Sequence, residues 1–234
     1  MKLAIVGNGK MGQALIACAK EAEHEIACTL DSQSNAGGAG ITAESMSGVD
    51  VALEFTTPDA VWHNIERLIA LRIPTVVGTT GWHDRIPEVR RMVSERKAAL
   101  VYGANFAPGL QVFLRITSEA ARAFSHLSDF DAFIVEHHHQ FKRDAPSGTA
   151  RVLRDVLRSA DSRREFPISS VRGGHIPGTH SLMYDSADET VTVTHRVRNR
   201  RVFAVGALLA AEWIRDRTGC YSFEDVVLGN APAD

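Results

Sequence analysis

The stretch from Lys2 to Asp31 constrains the fold of this chain more than any other. It opens with an apolar run, Lys2 to Val6, cut off by Gly7. Such a run reads as a buried parallel strand. Gly7-Asn8-Gly9-Lys10-Met11-Gly12 follows and matches G-x-G-x-x-G. Met11 to Ala22 then reads as a helix, and Ile26 to Leu30 as a second strand ending at Asp31. In a unit of this kind the first glycine permits a tight turn, the second lets backbone approach a pyrophosphate, and the third packs helix on strand. An acid about 20 residues further on hydrogen-bonds a ribose hydroxyl, and Asp31 stands 19 residues after Gly12. Glycines alone also serve ordinary tight turns. Strand, motif, helix, strand and acid in this order predict a dinucleotide-binding unit.

The alternation continues. Val51 to Glu54 reads as a strand, Asp59 as the cap of a helix reaching Leu71, Pro74 to Val77 as a strand, residues 84–97 as a helix, and Ala99 to Tyr102 as another strand. Alternating strands and helices imply an α/β fold with a doubly wound parallel sheet. Ligands of such sheets lie at the carboxyl ends of the strands. Here those ends carry Phe55-Thr56, Gly78-Thr79-Thr80-Gly81 and Gly103-Ala104-Asn105-Phe106. Each alone is an ordinary turn; together with the first loop they predict one cofactor crevice.

Gly109 to Phe124 reads as a long helix leaving this sheet. Strands follow at Phe130 to Glu136, 168–172, 179–184 and 190–196, with a helix from 147 to about 159. Thr190-Val-Thr-Val-Thr-His195 alternates β-branched residues, a sheet signature. Consecutive strands predict a smaller α+β domain with a mixed or antiparallel sheet. Phe203 to Arg215 reads as an apolar helix and Ser222 to Leu228 as a short terminal element.

With 234 residues the chain has room for two modest domains. A formal net charge of -2 gives no bulk electrostatic case for nucleic acid. Cys18, Cys28 and Cys220 are far apart and odd in number, which fits a reducing cytosol rather than a disulfide framework. The first apolar run is too short for a signal peptide or a membrane helix, so a cytoplasmic protein with no membrane partner is expected.

The chemistry concentrates in Glu136-His-His-His-Gln-Phe-Lys-Arg-Asp-Ala-Pro-Ser-Gly-Thr-Ala150, read as a strand-to-helix connection. Ser147 or Asp144 can cap the helix, and Gly148 and Thr149 open its first turn. Backbone N–H groups there form an anion site. Lys142 adds a positive charge, and a histidine moves a proton near neutral pH. The loop therefore reads as a holder of a carboxylate with a proton source beside it. His137, His138 and His139 with Glu136 and Asp144 could instead bind a metal. Adjacent residues on a strand point to opposite faces, which suits three-ligand coordination poorly, so no metal is expected. His175, His180 and His195 read individually as structural. Arg200 pairs with acids or sits in the basic run Arg196 to Arg201.

These residues resemble the family of 4-hydroxy-tetrahydrodipicolinate reductases, also called dihydrodipicolinate reductases. The motif from Glu136 to Ala150 is similar to that family's signature. Arg172-Gly-Gly174-His-Ile-Pro-Gly178-Thr-His180 resembles its R-x-G-x-x-x-G-x-H pattern, and Gly78 to Gly81 and Ala104 to Phe106 look like its cofactor loops. The resemblance covers essentially the whole chain. It implies a Rossmann domain over residues 1–106 completed by 201–234, and a substrate-binding and oligomerisation domain over 107–200. It implies reduction of a dihydrodipicolinate-type intermediate in diaminopimelate and lysine biosynthesis, with NADH or NADPH, by a homotetramer. Carried over by position, His138 is the acid/base and Lys142 the proton donor. His139, Gly148 and Thr149 line the site of a small dicarboxylate, joined by Ser147 from the helix-start argument. Gly7 to Met11, Asp31, Gly78, Thr79, Thr80 and Gly103 to Phe106 bind the cofactor. No lysine or arginine follows Asp31 in Ser32-Gln33-Ser34-Asn35 to meet a 2′-phosphate, so NADH is the expected preference over NADPH. The competing readings are another NAD(P)-dependent imine or carbonyl reductase, and a non-catalytic dinucleotide sensor that makes no use of the Lys142–Thr149 loop.

Overall fold

The computed structural model describes residues 1–230. The 231–234 end of the segment expected to complete the first domain lies outside them. In chain order the elements are β1 (Lys2–Val6), α1 (Lys10–Glu21), β2 (Glu25–Leu30), β3 (Val51–Glu54), α2 (Pro58–Ala70), β4 (Thr75–Val77), α3 (Ile86–Arg96) and β5 (Ala99–Tyr102). Then come α4 (Pro108–Phe124), β6 (Asp131–His138), α5 (Gly148–Ala160), β7 (Ile168–Arg172), β8 (Gly178–Asp185), β9 (Thr190–Val197), α6 (Arg201–Ile214), β10 (Gly219–Ser222) and α7 (Phe223–Leu228). Packing divides the chain into two units, Met1–Ala107 with the segment from Arg201 onward, and Pro108–Arg200.

The first unit is a six-stranded parallel sheet in the order β10-β5-β4-β3-β1-β2. Leu3, Ala4, Ile5 and Val6 of β1 and Val51, Ala52 and Leu53 of β3 are fully buried, as continuous apolar strands covered on both faces must be. One face carries α1 and α6. Leu15, Cys18 and Ala19 of α1 recur at helical spacing and pack with Ala204, Ala207, Leu208, Ala211 and Ile214 of α6 in one core. The other face carries α2 and α3 through Val61, Ile65, Ile69, Val89 and Val93. Strand order reverses between β1 and β3, and that switch point is where a doubly wound sheet opens a ligand crevice.

The second unit is a four-stranded mixed sheet, β7-β6-β8-β9, with β6 and β7 parallel and the other pairs antiparallel. Leu153 and Leu157 of α5 are fully buried, as are Ala132 and Ile134 of β6, Leu182 of β8 and Phe166. Each buried leucine contributes about 1.5–3 kcal/mol. The period-2 alternation of β6 that buries Ala132 and Ile134 also buries Glu136 and His138. Two polar groups thus continue the core stripe.

Several boundaries differ from the sequence expectation. Asp59 does not cap α2: Thr57 occupies that position, Pro58 opens the helix, and Asp59 lies in the first turn, where its charge meets the helix dipole favourably. A 3-10 turn over His83–Arg85 precedes α3, which starts at Ile86. β6 runs to His138, so His137 and His138 belong to the strand and not to the connection. Gly219–Ser222 forms an additional parallel strand on β5, with a four-residue register from Gly219 opposite Ala99 to Ser222 opposite Tyr102.

Candidate active site

Glu136 is the centre of the second unit's polar cluster and is fully buried. Its Oε1 accepts from the Ser147 N–H at 3.0 Å, the Ser170 hydroxyl at 2.6 Å and the Arg172 guanidinium at 2.8 Å. Its Oε2 lies 3.0 Å from His138 Nδ1 and 3.7 Å from His180 Nε2. The His138 contact is at bonding distance but off the line of a hydrogen bond, because neither Oε2 nor Nδ1 has an aligned partner. Burial alone pushes the Glu136 carboxyl up. The hydrogen bonds from Ser147, Ser170 and Arg172 outweigh it and hold the group at about 2. A permanently ionised carboxylate therefore sits beside two imidazoles.

Both rings are neutral in the resting protein. Burial lowers His138, partly offset by the Glu136 charge, and Lys142 and Arg172 lower it further. His180 is pushed down to about 4, mainly by burial and by His138. The two rings meet edge to face, with centroids 5.1 Å apart. Ligand atoms of Glu136, His138 and His180 all lie within 4.8 Å of one another, so among the described residues this trio, not the His137–His139 run, is the group that could hold a metal. The Arg172 guanidinium on the same carboxylate offsets the charge a cation needs, which favours proton handling over coordination.

Ser147 caps α5, its hydroxyl accepting from the Ala150 N–H at 3.2 Å and lying 3.2 Å from His180 Nε2. Asp144 does not cap: its Oδ1 takes the Lys142 ammonium at 2.7 Å. Arg172 also donates to the Asp144 carbonyl at 2.6 Å, fastening this loop to β7. Gly148 and Thr149 open the helix next to the cap, and Lys142 lies in the loop that leads into it. His139 follows β6, its N–H bonded to the Ile176 carbonyl at 2.8 Å and its Nε2 3.3 Å from Arg200. The structure thus gathers Glu136, His138, Ser147, Arg172 and His180 into one cluster. Glu136, Arg172 and His180 had no assigned role in the sequence reading; the signals that could have found them are the register of β6 on β8, where Glu136 faces His180, and that of β6 on β7, where Arg172 faces His138.

In the first unit, a cleft of about 360 Å³ opens at the carboxyl ends of β3, β4 and β5. Met11, Gly78, Thr79, Thr80, Ala104, Asn105 and Phe106 line it, together with Phe55, Thr56, Pro58 and Phe203. Pro58 and Phe203 were not expected there. Gly7, Asn8, Gly9, Lys10, Gly12, Asp31 and Gly103 are outside its lining. The glycine loop has the expected constraints. A Cβ on Gly7 would lie 2.1 Å from the Phe55 carbonyl oxygen, and one on Gly12 would lie 1.9 Å from that of Gly7. At Gly9 a Cβ meets no protein atom within 4 Å, which is the room a pyrophosphate needs. Asn8 accepts from the Gln13 amide across this loop. Asp31 is exposed, and Gln33 N–H, Ser34 N–H and the Ser34 hydroxyl all donate to its Oδ1, leaving Oδ2 for a ribose hydroxyl. These features fit a dinucleotide.

No helix among the described residues is long and apolar enough to cross a membrane. The profile of the dihydrodipicolinate reductase N-terminus matches residues 1–106, and that of the C-terminus matches residues 109–227. A 4-hydroxy-tetrahydrodipicolinate reductase of Christiangramia forsetii is 33% identical over 240 residues, covering 97% of this chain and 98% of the relative. One from Natronomonas pharaonis is 35% identical over 250 residues, covering 97% and 100%. Among solved structures, a dipicolinate-bound dihydrodipicolinate reductase from Paenisporosarcina sp. TG-14 superposes with a TM-score of 0.81 at 23% identity, covering 96% of this chain and 98% of that one.

Proposed function

The chain belongs to the dihydrodipicolinate reductase family, and we propose that it reduces the dihydrodipicolinate-type intermediate to tetrahydrodipicolinate with a nicotinamide dinucleotide. That reaction belongs to diaminopimelate and lysine biosynthesis. The observation that carries the reading is the Glu136–His138–His180 cluster placed against the capped start of α5, with Lys142 in the same loop.

The substrate class follows from charge. The Paenisporosarcina reductase carries dipicolinate, a planar dicarboxylate. In this chain one carboxylate is held by the first N–H groups of α5 at Gly148 and Thr149 and by Lys142. His139 and its neighbour Arg200 serve the second. The dinucleotide supplies a hydride to the conjugated ring. The residues of this chain do the rest. Gly7 to Met11 admit the pyrophosphate, Asp31 takes a ribose hydroxyl, and Thr79, Thr80, Asn105 and Phe106 line the cleft beyond. His138 and Lys142 manage the proton. His138 is neutral before substrate arrives, because burial lowers it. A docked dicarboxylate adds negative charge beside the ring and raises it again, so the imidazole takes up a proton as substrate binds. Glu136 supports the imidazolium from the other side. Lys142 anchors a carboxylate and resupplies the proton.

NADH is the preferred cofactor in this reading, since the Asp31 carboxylate repels a 2′-phosphate and Ser32 to Asn35 offer no cation to it. Lys10, exposed at the start of α1, is the one opposing charge in the glycine loop. The protein is cytoplasmic and tetrameric in this reading, with the exposed edge strand β9 covered by another copy. The test is NADH and NADPH oxidation with substrate freshly made by a coupled synthase. Turnover with both cofactors and a higher kcat/KM for NADH is expected. Cofactor binding without turnover would leave only a dinucleotide sensor.

A further inference from the structure

Glu54 ends β3 and is fully buried. Its Oε1 accepts from the Thr56 hydroxyl and from Asn64 Nδ2, the latter at 3.0 Å. Asn64 is itself fully buried and accepts through Oδ1 from Asn35 Nδ2 at 2.8 Å. Asn35 donates its own N–H to the Asp31 carbonyl at 2.9 Å and accepts from the Gly40 N–H at 3.0 Å. At the other end, the Thr56 N–H donates to Thr79 Oγ1 at 2.7 Å. Thr56 and Thr79 line the cleft. One continuous hydrogen-bonded chain therefore runs from the loop behind Asp31, through Asn35, Asn64 and Glu54, to two threonines of the cleft wall.

The chain is not what stability alone selects. Glu54 Oε2 is enclosed without a partner, and a buried, unpaired oxygen is destabilising where an apolar side chain of similar size would not be. Burial also pushes the carboxyl up, with the hydrogen bonds from Thr56 and Asn64 offsetting this only in part. Polar networks in low dielectric are rigid when satisfied, and this one connects two surfaces that a dinucleotide must touch at once.

We propose that Glu54 is a positioning residue of the dinucleotide site, holding the Asp31 loop and the Thr56–Thr79 wall in one register so that both ends of the cofactor are bound together. This rests on the reading of the first unit as that site. Glu54 does not touch the cofactor; it acts through Thr56 and through Asn64 and Asn35.

The test is calorimetric binding of NADH and of ADP-ribose, which lacks the nicotinamide, to the whole protein and to Glu54→Gln, Glu54→Leu and Asn35→Ala, with thermal melts of each. Glutamine keeps an acceptor oxygen at the same reach, so Glu54→Gln binds both ligands within about twofold of the unsubstituted protein. Glu54→Leu removes the hub and weakens NADH by about tenfold or more. Asn35→Ala cuts the chain at its loop end and weakens both ligands alike by about fivefold, one neutral hydrogen bond's worth. If Glu54→Leu does not fold, Asn35→Ala decides alone. Lower melting temperatures with unchanged dissociation constants in Glu54→Leu and Asn35→Ala would show a purely structural network and overturn the proposal. Failure of the unsubstituted protein to bind either ligand would overturn the underlying reading of the first unit, and the proposal with it.

Discussion

Replacing Glu136 with glutamine removes one charge from the polar cluster and almost no volume. The carboxylate has two duties, which the substitution separates. Through Oε1 it neutralises Arg172, whose side chain is 17% exposed while that of Glu136 is 0% exposed. Breaking a buried pair from one side costs about 3–5 kcal/mol; the partial exposure of Arg172 places this case near the lower figure. At about 2–4 °C per kcal/mol for a chain of this size, the melting temperature falls by roughly 10 °C. Through Oε2, 3.0 Å from Nδ1, the charge raises His138 against its burial. The opposite charge favours the imidazolium, and Arg172 offsets part of it. Loss of the charge therefore lowers the imidazolium fraction at a given pH. Lost orientation of the ring brings the fall in kcat to roughly 10²-fold, the low end for one general acid. The assay is kcat against pH, with calorimetric NADH binding on the same preparation. Activity that needs protonated His138 declines as pH rises, and in Glu136→Gln that decline moves to lower pH while NADH affinity stays unchanged. A folded variant with full turnover and an unmoved profile would refute the coupling of Glu136 to His138.

Other outcomes follow from the same geometry. Dipicolinate binding takes up protons near pH 7, read by calorimetry in buffers of different ionisation enthalpy, and the uptake disappears in His138→Gln. Acid destabilises the second unit in two stages. His180, neutral in the fold down to about 4 against an ordinary 6.5, withdraws stability as pH falls below 6.5; Glu136, ionised down to about 2 against an ordinary 4.5, withdraws more between those values. Each removes about 3 kcal/mol across its own window, so urea midpoints drop steeply from pH 6.5 to 4, and a flat profile would contradict the buried cluster. Gly206→Ala places a Cβ 1.8 Å from the Phe106 carbonyl oxygen, forcing α6 away from the strand-end loop that lines the cleft. A loss of about 3 kcal/mol is expected, with weaker NADH binding, measured by thermal melt and titration.

The parts legible in the sequence are those whose constraints are local. Gly7 and Gly12 are glycine because neighbouring backbone oxygens occupy the space of a Cβ, and that contact recurs wherever this turn is built. The parallel strands of the first unit announce themselves as apolar runs because both faces are covered. β10 was missed because its pairing partner, β5, lies more than a hundred residues earlier, and Gly-Cys-Tyr-Ser carries little strand signal of its own. His180 read as structural for a similar reason: its place beside Glu136 is fixed by antiparallel register, not by neighbours in sequence. Glu136 and His138 were visible as chemistry but not as a pair, since alternation along β6 sets only a shared face, and which face is buried is decided by the packing of the second unit. Asp144 and Ser147 were equivalent cap candidates in the sequence; the short reach of Asp144 to Lys142 decides between them.

The central claim is that the loop from His138 to Thr149 performs the proton chemistry of a dicarboxylate reduction while the first unit independently binds the cofactor. Steady-state turnover of His138→Gln and Lys142→Ala with synthase-generated substrate, beside calorimetric NADH binding to both, tests it most directly. His138→Gln loses on the order of 10²-fold in kcat with little change in KM. Lys142→Ala loses both turnover and substrate affinity, because it removes a carboxylate anchor as well as a proton source. Both bind NADH as the unsubstituted protein does. Near-normal turnover in both variants, or loss of NADH binding in folded protein, would contradict the assignment of this loop as the catalytic centre.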